Sequence, residues 1–162
     1  MLVVIFSTVY AQDTLYALKG GILAHSTGPV SSGKEDGVDL NGEVLFNKRV
    51  LKGYPAVGAD VNLNGNTSFL YGGLAWEGRL FKHLLLGGFL GLAIHNGDLD
   101  SENDDMRQLG TRVLIREAVD IGFYLRDDLV ASIMYDHYSN TGLGESRNEG
   151  NDNIGIRLAY YF

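Results

Sequence analysis

The chain contains no cysteine, so disulfides, thiol nucleophiles and zinc–thiolate sites are all excluded. It has two prolines in 162 residues and an aromatic content of 10%, led by nine tyrosines, a mix that does not suit a disordered chain. Basic charge is scarce: 13 Lys and Arg stand against 20 Asp and Glu, for a net charge of −7. No basic cluster could neutralise phosphates, so no nucleic-acid partner is expected. Past the first residues there is also no run of about 18 apolar residues, which rules out a transmembrane helix. If this chain crosses a membrane, it crosses with strands.

What is abundant is glycine, 22 residues, recurring every few positions and breaking any sustained 3.6-residue periodicity. The opening "MLVVIFSTVYAQDT" reads as the apolar part of a signal peptide over 1–11, with Val9-Tyr10-Ala11 as cleavage site and Gln12 as mature N-terminus. A positive n-region is missing, so the segment reads as truncated at its start. The alternative is a first strand. A single domain is expected over 12–162, in eight partly alternating stretches near 13–26, 36–48, 53–64, 67–80, 83–97, 107–125, 128–140 and 151–162.

The connections differ in kind. "NKRVLKG", "FKH" and "RDD" are short, whereas "STGPVSSGKE", "GDLDSENDD" and "TGLGESRNEG" are longer and very polar, with "NGN" the exception. Short turns at one end and long polar loops at the other fit an eight-stranded antiparallel transmembrane β-barrel of the bacterial outer membrane. In the last strand Ile154, Ile156, Leu158, Tyr160 and Phe162 share one face, while Asn153, Gly155, Arg157, Ala159 and Tyr161 share the other. That pattern suits lipid outside and a polar interior, although a soluble lipocalin-like barrel would use the same alternation inverted. Lys19, Glu77, Arg79, Arg112, Arg116 and Arg157 fall on the inferred inner face and are expected to pair there. With eight strands the interior is filled by side chains, so no channel is expected. Glu117 is out of place, because it shares parity with Val113, Ile115, Val119 and Ile121; a bulge near 116–118 would turn it inward.

The seventh stretch carries the chemistry. Its odd positions run Leu129, Ala131, Ile133, Tyr135, His137 and Ser139, from apolar to His-x-Ser, so His137 and Ser139 emerge on the lipid-facing side at the outer rim. Asp152 shares parity with Ile154 and points the same way. A symmetric hairpin sets 139 opposite 152, and a two-residue shift sets 137 opposite 152; either brings the three together. Serine needs a base to take its proton and an acid to hold the imidazole, and Asn140 with the Gly142 N–H lies next along the chain as oxyanion donors. A lone His-x-Ser is a weak signal in a rim loop. Three polar groups beside an apolar band gain meaning if the substrate is itself an outer-membrane lipid.

The run "HYSNTGLGESRNEGND", 137–152, resembles the His-x-Ser-Asn-Ala-Gly-Leu signature of the PagL-type lipid A 3-O-deacylases, and the resemblance extends to "GLAIHNGDL" (91–99), "REAVDIGFYL" (116–125) and the final strand. It implies an outer-membrane serine esterase that acts on lipid A of lipopolysaccharide, with no cofactor, and is compatible with a homodimer. It implies His137 as base, Ser139 as nucleophile, Asn140 and Gly142 as oxyanion donors, and Asn148 with Gly150 as a turn shaping the site. Thr141 stands where the signature has Ala. The acid position, often Glu, falls on Asp152 after one extra loop residue, with Glu149 or Glu145 as alternatives.

Two other readings stand beside it. One is a non-enzymatic small barrel of the OmpX or OmpA type; the other is a phospholipase or lipid A acyltransferase using the same groups. His95 with Asp98 and Asp100 could bind a cation, but "GDLDSENDD" lacks the ligand order of an EF-hand. His25 and His83 are expected at strand ends without partners.

Overall fold

A computed structural model describes residues 14–31, 33–100, 106–140 and 149–162. The signal-peptide reading of 1–11, together with Gly142, Glu145 and Asn148, lies outside these residues. Eight antiparallel strands, β1 (Leu15–Ala24), β2 (Val38–Phe46), β3 (Tyr54–Asn62), β4 (Phe69–Leu80), β5 (Leu84–His95), β6 (Val113–Arg126), β7 (Leu129–Ser139) and β8 (Asn151–Tyr161), close in sequence order, with β1 pairing β8. Closure leaves no edge strand, so no strand presents an open row of unpaired ladder groups to a bilayer. The sixth strand begins at Val113 rather than near 107, and the segment before it instead packs among the long loops.

Two of the short connections are tight for a definite reason. Leu51 and Lys52, and again Phe81 and Lys82, all have positive φ, the backbone of a two-residue turn whose twist matches the flanking strands. The long loops all lie at the opposite end.

Alternation decides which face is which. Leu18, Ile22, Leu40, Val57, Leu70, Leu90, Ile121, Ile133, Ile156 and Leu158 are all exposed on the outer surface. Their inward neighbours are small, aromatic or charged. At the centre the Glu43 carboxylate faces Lys19 at 3.4 Å, Arg157 at 3.4 Å and Arg116 at 3.6 Å. Lys19 also reaches Glu77 at 2.5 Å, Arg157 pairs with Asp120, and Arg116 binds Asp136 at 2.8 Å. Burying any of these ions singly would be costly; set beside opposite charges they offset much of that cost and fill the lumen. Tyr16, Tyr54, Tyr124 and Tyr161 pack against one another at the short-turn end, with Tyr16 stacked on Tyr54 at 3.7 Å between ring centroids.

Two expectations are corrected, and the orientation of Glu117, which the sequence left open, is answered. Arg79 and Arg112 are not interior ions: Arg79 is exposed at the short-turn rim, paired with Asp127 and lying over the Tyr124 ring, and Arg112 donates to the His95 and Gly97 carbonyls at the other rim. The reason is height, since inner-face parity at a strand end opens onto solvent rather than the lumen. Nor is there a bulge at 116–118. The β6–β7 register is continuous there, with Glu117 opposite His137, and Glu117 stays outward and exposed. Finally, His25 is buried and partnered. Its Nδ1 lies 2.8 Å from Asp39 and its Nε2 3.7 Å from Glu35.

Of that last cluster, His25 and Glu35 lie just beyond the ends of β1 and β2 at the long-loop end. Burial opposes charge on His25, but the hydrogen bond to Asp39 and the nearby Glu35 carboxylate outweigh it and lift its pKa to about 9. Burial likewise works against the Glu35 carboxylate, yet His25, Thr67 and the Arg107 N–H bring it down to about 2. A raised histidine stabilises fully below its ordinary 6.5 and loses that contribution as pH rises through about 9. A lowered carboxylate stabilises above its ordinary 4.5 and loses it as pH falls through about 2. Resistance of the folded barrel to urea should therefore be highest between about 4.5 and 6.5 and decline toward pH 9, and His25→Gln should flatten the alkaline decline.

Candidate functional site

The β7–β8 register decides the geometry of the long-loop rim. His137 stands directly opposite Asp152, the shifted pairing rather than the symmetric one. Opposed residues in an antiparallel ladder have Cβ atoms about 5 Å apart, so a short carboxylate reaches across where a longer one would overshoot. Asp152 Oδ1 lies 2.6 Å from His137 Nδ1. Its other oxygen, Oδ2, accepts the Val30 N–H at 2.7 Å and the Ser31 N–H at 2.9 Å.

Parity places Asp152 on the outer face, yet it is completely buried. The cover is the segment after β1, which folds back over β8: Thr27 N–H donates to the Asp152 carbonyl at 2.8 Å, and Asp152 N–H to Ser31 O at 3.1 Å. Gly28 lies so close that a Cβ there would sit 2.4 Å from Asp152 Cβ. The sequence offers one sign of this contact, the Gly28-Pro29 pair in a long loop, but nothing that names its target.

Ser139 ends β7 two residues beyond His137, on the same outward face and opposite Ile115. With Nδ1 engaged by the carboxylate, the imidazole Nε2 is the nitrogen left to accept a proton from a neighbouring hydroxyl. Asn140 is fully buried, and its side-chain amide donates to Leu109 O at 3.2 Å. Glu149, the alternative acid, is turned elsewhere. It holds Lys34 at 2.7 Å and accepts the Gln108 N–H at 2.9 Å. Burial works against its charge, but Lys34 and that N–H keep it below the usual carboxylate range.

A family model described as lipid A 3-O-deacylase (PagL) matches residues 34–161, which span every strand from β2 onward. The chain belongs to the PagL family. It is thus a carboxylic ester hydrolase of the bacterial outer membrane, acting on lipid A. Its fold matches the crystal structure of the outer membrane enzyme PagL at 14% identity and a TM-score of 0.66, over 90% of this chain and 99% of that one. It also matches the N-terminal β-barrel domain of Pseudomonas aeruginosa OprF, at 10% identity and TM-score 0.58 over 92% of this chain and 99% of that one. Neisserial surface protein A follows at 12% and 0.56, over 91% and 97%. No curated protein sequence matches the chain. At such identities the structural likenesses speak for the barrel alone, and the family model carries the activity.

In this PagL-family chain one residue that the sequence reading passed over binds the loops into a unit. Arg107 donates from Nε and Nη2 to Ser26 Oγ, at 3.0 and 2.6 Å, and from Nη1 to Gly150 O at 2.7 Å, while its own N–H reaches Glu35. It thereby joins the loop covering Asp152 to the start of β8. Gly150 needs to be glycine twice over. Its φ is +62°, and a Cβ would lie 2.6 Å from Ser31 Oγ, 3.0 Å from Tyr138 O and 3.1 Å from His137 Cε1. Gly150→Ala should lower deacylation on the order of 10^2-fold by shifting the imidazole, with only about 1–2 kcal/mol lost in stability. Rates and urea midpoints measured on the same refolded preparations check the split.

Among the described residues no group of three His or acidic side chains is arranged to hold a metal. His95, the residue weighed as a cation ligand, places Nε2 2.7 Å from the Thr111 carbonyl instead.

Proposed function

We propose that the protein removes the 3-O-linked acyl chain of lipid A by a Ser139–His137–Asp152 relay facing the outer leaflet. The observation that carries this reading is the 2.6 Å contact between Asp152 and His137 Nδ1 on a lipid-facing strand pair, one dyad below Ser139. His137 Nε2 takes the proton of Ser139 as Oγ bonds to the ester carbonyl carbon. The bond from that carbon to the sugar 3-oxygen then breaks, and His137 returns the proton to the departing oxygen. Water, deprotonated by the same imidazole, adds to the acyl carbon and frees the fatty acid, while Ser139 recovers its proton. Asp152 keeps Nδ1 protonated and steadies the imidazolium.

The oxyanion of each tetrahedral intermediate needs donors, and the chain just beyond Ser139 is the nearest source: Asn140 and the Gly142 N–H. The Asn140 side chain stands beside the end of β7, where its amide also donates to Leu109 O at 3.2 Å. Asn148 and Gly150 shape the return of the chain to β8.

Incubating the refolded protein with lipopolysaccharide in detergent and weighing lipid A by mass spectrometry tests this directly. Loss of a single 3-linked hydroxyacyl mass is expected. Transfer of an acyl chain onto lipid A, or release of fatty acid from glycerophospholipid alone, would sink the reading.

A further inference from the structure

Glu117 is the one acidic side chain set into the membrane-facing band of β6. It is exposed, with Ile115 and Val119 before and after it on the same face and with Leu90 of β5 and His137 of β7 directly opposite. A carboxylate among apolar outward residues costs stability wherever lipid covers it. No described residue donates a hydrogen bond to it or pairs with it. Among the described residues it thus has no partner, and a donor on a bound lipid would supply one.

The cavity it borders indicates which donor. Glu117 and His137 share a recess of about 290 Å3 with Val30, Ala118, Val119 and Tyr135. The next outward positions on these two strands, Ile121 and Ile133, line a second and almost wholly apolar cavity of about 560 Å3 that runs on toward Phe123 and Leu158. This is a path for an alkyl chain. It begins at the row of His137 and Glu117, roughly 6.7 Å along the strands from the row of Ser139 and Ile115. A chain esterified at Ser139 thus meets Glu117 with its first carbons, where a 3-hydroxyacyl group carries its hydroxyl two carbons from the carbonyl.

We propose that Glu117 is a specificity residue that accepts a hydrogen bond from the 3-hydroxyl of the acyl chain, so that 3-hydroxyacyl esters are chosen over plain ones. The proposal rests on the Ser139 deacylase reading. A hydroxyl on a carboxylate is a strong, charge-assisted bond, and a chain without it leaves the ion desolvated and unpaired beside lipid.

The test compares two soluble probes, the 3-O-(3-hydroxydecanoyl) and 3-O-decanoyl esters of methyl N-acetylglucosaminide in detergent micelles, and reads the ratio of kcat/KM. Wild type is expected to prefer the hydroxylated ester by about 10-fold or more. Glu117→Leu should bring the ratio near one, and Glu117→Gln, which keeps an acceptor, should retain part of it. The ratio compares two esters on one preparation, so partial misfolding does not mimic the result. Equal rates for the two esters in wild type, failure to take either, or an unchanged ratio in Glu117→Leu overturns the proposal. If wild type also leaves lipid A intact, the deacylase reading fails first and this one with it; activity on lipid A with an unchanged ratio removes the specificity role alone.

Discussion

Ser139→Ala is expected to lower lipid A deacylation on the order of 10^4- to 10^6-fold, while the barrel folds as before. Two features separate activity from folding here. Ser139 is the last residue of β7, and its backbone pairs with Ile115 whatever side chain it carries. The closed ladder and the buried ion network around Glu43 lie elsewhere, so removing one hydroxyl at the rim leaves them intact. What is lost is the hydroxyl that, in the proposed relay, forms the acyl-enzyme. The residual rate over water would come from binding and oxyanion donors acting on a water molecule that His137 deprotonates. Mass spectrometry of lipid A, with heat-dependent gel mobility as the check on folding, reads both quantities from one preparation. A variant that retains more than about a hundredth of wild-type activity would place the nucleophile elsewhere, because loss of a true nucleophile is far more damaging than that.

The barrel was legible because its signal is repeated. Each strand carries the same alternation, each connection is marked by Gly, Asn or Asp, and closure needs only neighbours in sequence. The grouping of His137 with Asp152 was legible too, since parity put both outside and either hairpin register brought them near. Its register was not, because the hairpin loop is too long to fix one. Contacts made by loops remote in sequence were also beyond reach. Nothing in "STGPV" says that Val30 and Ser31 will donate to Asp152, and nothing near 107 says that an arginine will reach Ser26 and Gly150 at once. The same blindness left His25 without partners, although Asp39 and Glu35 meet it only when β1, β2 and the loop between them are assembled. Glu117 stayed undecided for the opposite reason. Its parity gave the correct face, and a bulge was invoked only because a carboxylate facing lipid looked wrong. Local rules fail where a residue serves a ligand rather than the fold, and Glu117 breaks the pattern beside the residues proposed for the chemistry.

Asp152→Asn should reduce turnover about 10^4-fold with little change in stability, and Glu149→Gln should not. The reasoning lies in protons rather than shape. Asparagine fills the same space, and its oxygen can still accept the Val30 and Ser31 N–H groups, now 2.7 and 2.9 Å from Asp152 Oδ2. The atom then left facing His137 Nδ1 is an NH2, which can only donate. Nδ1 must become the acceptor, the ring proton moves to Nε2, and the nitrogen needed to deprotonate Ser139 is blocked. A positive imidazolium would also lose its counter-charge. Glu149 has no such link, because Lys34 and the Gln108 N–H occupy it. Replacing it should loosen the loop by no more than about 1 kcal/mol, as for other partly exposed ion pairs. Assaying both variants against pH sharpens the distinction: a tautomer defect in Asp152→Asn should persist at neutral pH and ease in alkaline solution, where hydroxide can replace the missing base. Equal losses in the two variants, or a larger loss in Glu149→Gln, would move the acid from β8 into the loop.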